Sequence, residues 1–287
     1  MKWRLILIKQ MRCDYIFFGH GALSNYLISY FVRKGKSVIC VTNHASSISE
    51  TTNLRFLSVD KLVNTKVLAD YAIFCWREST AQSDASSEWL STNLFGIRKS
   101  FFLSSASVYR SSEKELKEDP KNLSPQYLQN NKFLLERRLS NLLHSKEIPH
   151  TNLRITNVYG PELQHGFISS LFKSLEHKIP ADVYNQSWIT RDYVSVFDLC
   201  LALELLTKTE TKIQVLNIST GIGTDIEGVL QVFEDLGRKI SLRNYTNAPS
   251  DIKSRVILDC GLLQSTIKWN PVPLKDGISK ILSQSTF

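Results

Sequence analysis

The sequence predicts an α/β fold built on a doubly wound parallel sheet, and three observations point to it. Apolar runs of strand length alternate with segments of helical period. Several of those runs are apolar on every residue, as strands covered on both faces are. The first ends in a glycine-rich turn that opens a helix. Strands alternating with helices pair in parallel through right-handed crossovers.

The elements follow in order. Met11 begins the first core strand, so residues 1–10 read as an extension upstream of the fold. Asp14 to Phe18 reads as a continuous apolar run ending in glycine. Ala22 to Lys34 carries apolar residues at helical spacing (Leu23, Tyr26, Leu27, Tyr30, Phe31), with Gly35 as its stop. Val38–Val41, Leu54–Leu57, residues 71–75 and residues 101–104 read as further strands. A helix is expected from Pro125 to Leu143, then a strand from Leu153. Beyond residue 160 shorter strands, near 189–196 and 215–218, alternate with helices near 197–206 and 226–236. The expected organisation is a larger N-terminal α/β domain over 11–160 and a smaller C-terminal α/β region over 161–287, with the strands near 189–196 and 215–218 returning to the core.

Bulk properties set limits. The chain has 287 residues, 43% hydrophobic and 22% charged, which suits a large globular core. No apolar run approaches the ~18 residues of a spanning helix. The apolar stretch near the N-terminus is shorter than the roughly 7–15 residues of a signal peptide and lacks a small-residue cleavage site, so no membrane partner is expected. Cys13, Cys40, Cys75, Cys200 and Cys260 show no C-x-x-C spacing. They read as buried thiols in a reducing, cytoplasmic setting, with no metal site. The formal charge is +8, but the basic residues are dispersed. That pattern argues against nucleic acid as a partner and favours acidic small molecules.

Several groups of residues carry chemistry. Gly19-His20-Gly21-Ala22-Leu23-Ser24 lies between strand and helix, where glycines let the backbone approach a pyrophosphate at the helix N-terminus. An ordinary βα turn would also fit. Ser105 lies in Leu103-Ser104-Ser105-Ala106-Ser107-Val108-Tyr109. Tyr127, Lys132 and Glu136 lie on the expected helix. Leu153-Arg154-Ile155-Thr156-Asn157-Val158-Tyr159-Gly160-Pro161 and Arg191-Asp192-Tyr193-Val194 close the set, followed by Val215-Leu216-Asn217-Ile218 and the terminal Trp269-Asn270-Pro271.

In this order, from about residue 11 to 285, the segments resemble the extended short-chain dehydrogenase/reductase family. The likeness is to its NAD(P)-dependent epimerase/dehydratase group, which acts on nucleotide sugars. The resemblance implies a Rossmann fold and a nicotinamide dinucleotide held by Gly19, Gly21, Ala22, Leu23 and Ser24. Thr42, Asn43 and His44 would sit at the end of strand two, Asp60 at the adenine, and Lys132 at the ribose. Strand two ends without a carboxylate, and Ser46 and Ser47 follow, so NADP is slightly favoured over NAD. Asp60 also suits a helix N-cap.

The resemblance further implies Ser105, Tyr127 and Lys132 as the catalytic set. Ser105, Asn157 and Arg191 would contact the substrate, with Arg191 at its diphosphate. A turn-forming Asn157 and an Arg191–Asp192 surface pair are the plainer alternatives. Arg243 or Arg255 is the candidate for a second diphosphate arginine. His20, His44 and His165 lack spaced partners.

The chain departs from the family pattern in places. Counting back four residues from Lys132 gives Leu128, not tyrosine, and Tyr127 would stand ~140° from Lys132 on a regular helix. Either a π-bulge restores Tyr127 to that face or Leu128 occupies the site, and a helix that begins after Ser124-Pro125 could also begin irregularly. Arg110 replaces a glycine after Tyr109. Trp76-Arg77 replace two small residues beside the nicotinamide, in a short connection over 76–100.

Ala106-Ser107 in place of an Asp-Glu pair argues against dehydration. The expected activity is therefore 4-keto reduction of a nucleotide sugar, with 4-epimerisation as alternative, serving polysaccharide or O-antigen synthesis. A catalytically silent dinucleotide-binding sensor or assembly protein is the rival of another class. The resemblance also implies a homodimer through the helix after Pro125. The apolar stripe there (Leu128, Phe133, Leu135, Leu139, Leu142) fits a core equally well.

Overall fold

The computed structural model describes residues 9–43, 50–62, 65–75, 94–161, 163–184, 189–245 and 254–284. Contacts divide the chain into two compact units. One comprises 1–104, 131–153 and 212–215; the other comprises 105–130, 154–211 and 216–287. The units interleave along the chain, whereas the sequence suggests one boundary near residue 160.

The first unit starts with β1 (Lys9–Phe18), α1 (Ala22–Arg33), β2 (Val38–Val41) and β3 (Leu54–Leu57). The short helix α2 (Val59–Leu62) leads to β4 (Thr65–Phe74), β5 (Leu94–Phe95) and β6 (Lys99–Ser105). α3 (Asn131–Ser145) and β7 (His150–Ile155) complete the series. β1 pairs in parallel with β2 and β4, β2 with β3, and β4 with β5 and β6. The register sets Phe18 beside both Val41 and Phe74, so three strands end level with one another. Ile16, Phe18, Ile39, Ala72 and Phe74 are buried together, with Leu139 and Leu143 of α3 in the same cluster. α1 ends before Gly35, whose φ of 74° suits a residue without Cβ.

Two boundaries differ from expectation. β1 starts at Lys9, inside the segment read as an extension, because β4 is ten residues long and pairs Thr65 and Lys66 with Lys9 and Gln10. β4 itself starts six residues before the apolar run at 71–75. In its first half Thr65, Val67 and Ala69 are buried while Lys66, Leu68 and Asp70 are more open, so the signal there is alternation.

The second unit contains β8 (Asn157–Tyr159), α4 (Phe167–His177), β9 (Ala181–Tyr184), β10 (Thr190–Ser195) and α5 (Val196–Lys208). β11 (Val215–Ile218), β12 (Gly223–Asp225), α6 (Ile226–Asp235), β13 (Leu242–Tyr245), β14 (Arg255–Val256), α7 (Gly261–Thr266) and α8 (Leu274–Gln284) follow. Among the described residues the large sheet runs β11-β7-β6-β4-β1-β2-β3, with β5 on β4. The strand at 215–218 thus joins the large sheet. The strand at 190–195 instead lies in a smaller sheet ordered β12-β10-β14, with β8 also on β10. β13 pairs in parallel with β9. Phe172, Tyr193, Val229, Phe233 and Ile278 share a separate buried cluster.

Candidate functional site

The turn between β1 and α1 has the form a dinucleotide requires. Gly19 has φ of 99°, a region side chains avoid, and its N–H donates to the Val41 carbonyl at 2.9 Å. A Cβ placed on Gly21 would meet nothing within 4 Å, so open space lies at the helix start. The first turn of α1 carries no acidic residue to repel an anion. Ser24, in place of a third glycine, is 2% exposed. Its Oγ accepts from the Gly21 N–H at 2.8 Å and donates to the Gly21 carbonyl at 3.1 Å. Ala22 is exposed and Leu23 half-buried beside it. These residues fit a bound pyrophosphate.

At the end of β2, Thr42 is buried with its N–H donating to the Leu57 carbonyl, and Asn43 is exposed. His44, Ser46, Ser47, Trp76 and Arg77 lie outside the described residues. Asp60 is exposed in the first turn of α2 and does not cap it; Ser58 stands before that turn. His20 meets the edge of the Phe56 ring at 5.5 Å.

The expected continuous helix from Pro125 is not formed. A 3₁₀ turn, Tyr127–Gln129, is followed by Asn130 at φ −84°, ψ 112°, and α3 begins at Asn131. The extra residue before Lys132 is therefore absorbed by a break in the helix and not by a π-bulge. An extended residue between two helical pieces removes the fixed angular spacing that would turn Tyr127 away from Lys132. Tyr127 is half-buried, and Leu128 is 53% exposed. Lys132 donates from Nζ to the Leu103 carbonyl at 3.1 Å and lies 5.2 Å from the centre of the Phe102 ring. One turn on, buried Glu136 accepts from Ser104 Oγ. Both contacts bind the start of α3 to the end of β6.

The second unit holds a cavity of about 1290 Å³. Ser105, Asn157 and Arg191 all line it, so three residues far apart in sequence meet there. Ser105 Oγ accepts from the Ser107 N–H at 3.1 Å, capping a 3₁₀ turn over Ala106–Val108. That use of a lone pair leaves the hydroxyl hydrogen able to donate. Asn157 Nδ2 donates to the Asp192 carbonyl at 3.1 Å. Tyr127 is absent from the lining, although Gln126, Gln129 and Asn130 contribute to it.

Arg191 is half-buried and donates to the carbonyls of Thr190 and Ser254 at 2.9 and 3.0 Å. Burial lowers its pKa from the usual arginine value. The carboxylate of Asp192 turns instead to Thr220 and Gly221, accepting from Thr220 Oγ1 at 2.6 Å and the Gly221 N–H at 2.9 Å. Burial pushes its carboxyl up to about 6 despite those donors. The surface Arg191–Asp192 pair offered by the sequence is thus replaced by a buried carboxylate bracing the loop after β11.

Arg110, marked in the sequence only as the replacement for a glycine after Tyr109, also lines the cavity, as does Asp182, which no motif marked. Asp182 lies 3.6 Å from Arg243 across the β9–β13 pair. Arg255 is held by Glu115 at 2.9 Å and by the Ser112 carbonyl. Of the two candidates for a second diphosphate arginine, Arg243 is therefore the one linked to a lining residue. Among the described residues no group of three metal-ligating side chains occurs, and no helix is long and apolar enough to cross a membrane.

Comparison with known proteins follows the same lines. No curated protein sequence matches. MoeE5 in complex with UDP-glucuronic acid and NAD superposes with a TM-score of 0.78 at 21% identity, covering 94% of this chain and 98% of that one. The UDP-glucose 4-epimerase of Thermotoga maritima with UDP-glucose gives 0.76 at 19% identity, covering 95% and 98%. The UDP-glucuronic acid 4-epimerase of Bacillus cereus with UDP-glucuronic acid and NAD gives 0.77 at 17%, covering 96% and 99%. These similarities show a shared Rossmann-type α/β fold. Residues 18–219 match the model of the NAD dependent epimerase/dehydratase family, and with most of its length inside that match the chain belongs to this family.

Proposed function

We propose that the protein is a nicotinamide-dinucleotide-dependent oxidoreductase of a nucleotide sugar, exchanging hydride at C4 as a 4-epimerase or a 4-keto reductase. The meeting of Ser105, Asn157 and Arg191 in one cavity carries this reading. The solved relatives with UDP-sugars and NAD support the substrate and cofactor classes. The cofactor, when bound, supplies the hydride acceptor or donor. Gly19, Gly21 and the start of α1 hold its pyrophosphate. Arg191 meets the substrate diphosphate, where a planar guanidinium suits two phosphate oxygens. Ser105 donates its hydroxyl hydrogen to the C4 oxygen. Tyr127 takes the proton from the C4 hydroxyl on oxidation and returns one to the C4 oxygen on reduction, and Lys132 favours the tyrosinate by its charge. The chain end of β2, Thr42-Asn43, lacks a carboxylate that would repel a 2′-phosphate, which favours NADP and with it the reductive outcome.

A second reading, a dinucleotide-binding protein without turnover, is favoured by one observation, the absence of Tyr127 from the cavity wall. One experiment separates the two. NADPH and NADH are titrated by nicotinamide fluorescence, and turnover of UDP-glucose and of a 4-keto nucleotide sugar is followed before and after Tyr127→Phe. The enzyme reading expects cofactor binding in both proteins and a loss of turnover of 10²-fold or more on the order typical for a removed acid/base. Binding without turnover in the unaltered protein establishes the silent reading, and no binding removes both.

A further inference from the structure

We propose that Arg110 is a specificity-determining residue that selects a nucleotide sugar bearing a carboxylate on its sugar ring. This rests on the nucleotide-sugar reading above and adds the class of sugar.

The argument begins with the backbone. The segment after Ser105 is fastened to the strand-like run before Pro125: the Ser124 N–H donates to the Val108 carbonyl at 2.9 Å, Tyr109 bridges Leu123, and the Arg110 N–H donates to the Asn122 carbonyl at 3.0 Å. Tyr109 itself is fully buried, its hydroxyl donating to Asn217 Oδ1 at 2.7 Å and accepting from Arg154. Arg110 is thus set immediately after an anchored residue, at a place in the wall fixed on both sides. Ser254 then ties this wall to the other arginine. Its N–H donates to Ser111 Oγ at 3.1 Å, and its carbonyl accepts from Arg191 at 3.0 Å.

Charge decides what such a wall selects. Among the described residues, three that line the cavity are ionic: Arg110, Arg191 and Asp182. Asp182 already has Arg243 beside it. Among the described residues nothing pairs with the Arg110 guanidinium, which is exposed. A guanidinium held over a cavity whose one described lining carboxylate is engaged elsewhere attracts an anion. Arg191 serves the diphosphate, while Arg110 belongs to the wall that starts with Ser105, the hydroxyl assigned to the sugar. The anion at Arg110 is therefore placed on the sugar, and a ring carboxylate matches its planar fork.

The test measures affinities of UDP, UDP-glucose and UDP-glucuronic acid for the 287-residue chain by calorimetry, then for Arg110→Gln and Arg110→Lys. The unaltered chain is expected to bind UDP-glucuronic acid about tenfold or more tighter than UDP-glucose, the usual scale of a hydrogen bond to a charged group. Arg110→Gln is expected to erase that preference and leave UDP and UDP-glucose unchanged; Arg110→Lys, which keeps charge but not the fork, is expected to retain part of it. Circular dichroism checks the fold, and the lysine variant decides if the glutamine variant is misfolded. Equal loss for all three nucleotides makes Arg110 a diphosphate contact and overturns the proposal. So does binding of UDP-glucose with no preference for the acid, which leaves the nucleotide-sugar reading standing. Failure of all three to bind the unaltered chain removes that reading, and the proposal with it.

Discussion

Lys99 opens β6 with its side chain 6% exposed, and its Nζ has no hydrogen-bond partner. The Phe101 ring, 5.2 Å away, offers the only aromatic face described for it. Burial lowers its pKa from 10.5 to about 8. Between those values the unfolded chain holds a proton that the folded chain has released, so stability rises with pH across this window and the burial cost is fully present below about 8. Replacing the ammonium by an apolar group of similar length removes that cost and loses the ring contact. Lys99→Met is expected to stabilise the protein at pH 7 by about 2 kcal/mol, from a shift of this size at ~1.4 kcal/mol per unit less the cation–π contribution. The gain is expected to shrink toward pH 10. Urea unfolding at pH 7 and 9.5 measures it, and an equal or negative effect at both values would show that the ammonium is well solvated. No motif pointed to this residue. A lysine at the head of an apolar strand reads as a solvated end, and only the tertiary cover makes it unusual.

At the scale of elements, the β1–α1 turn was legible because its constraint is local. Gly19 needs a positive φ, and the run Tyr15–Phe18 needs burial on both faces; each requirement is written in residue type. Ser24 shows the same economy. Its hydroxyl takes the Gly21 N–H that would otherwise face solvent or a phosphate. Ser24→Gly, which restores three glycines, is expected to lose about 1–2 kcal/mol, combining a lost cap with a glycine in a helix. NADH affinity is expected to hold, since the freed Gly21 N–H becomes available to the ligand. Calorimetric unfolding alongside a fluorescence titration checks both; a fall in affinity with unchanged stability would reverse the assignment. The segment before Lys132 was legible only as a set of alternatives, an irregular helix start among them. Counting residues assumes one uninterrupted helix, and the extended Asn130 violates that assumption. Asn130 Nδ2 donates to the Ser107 carbonyl at 3.2 Å, a contact 23 residues away in sequence that no local pattern announces. The cavity lining shared by Arg110 and Asp182 was hidden for the same reason.

For the whole molecule, connectivity limits how the chain can be divided. The sequence changes character near residue 160, which suggests cutting there, yet the first compact unit recruits residues 212–215. Those residues lead into β11, which lies beside β7 in the large sheet. The Asn152 N–H donates to the Gln214 carbonyl at 2.8 Å, and Thr151 Oγ1 donates to the Ile213 carbonyl at 2.7 Å. A fragment ending at residue 160 loses both acceptors and turns β7, buried along Thr151–Ile155, into an open edge. Exposed apolar edges recruit other strands. The fragment 1–160 is therefore expected to self-associate, whereas addition of a peptide spanning 209–220 is expected to reduce association by covering that edge. Size-exclusion chromatography with light scattering, with and without the peptide, reads the outcome. A monomeric, cooperatively unfolding 1–160 fragment would instead establish that the N-terminal region is a self-sufficient domain and that β11 is an accessory to it.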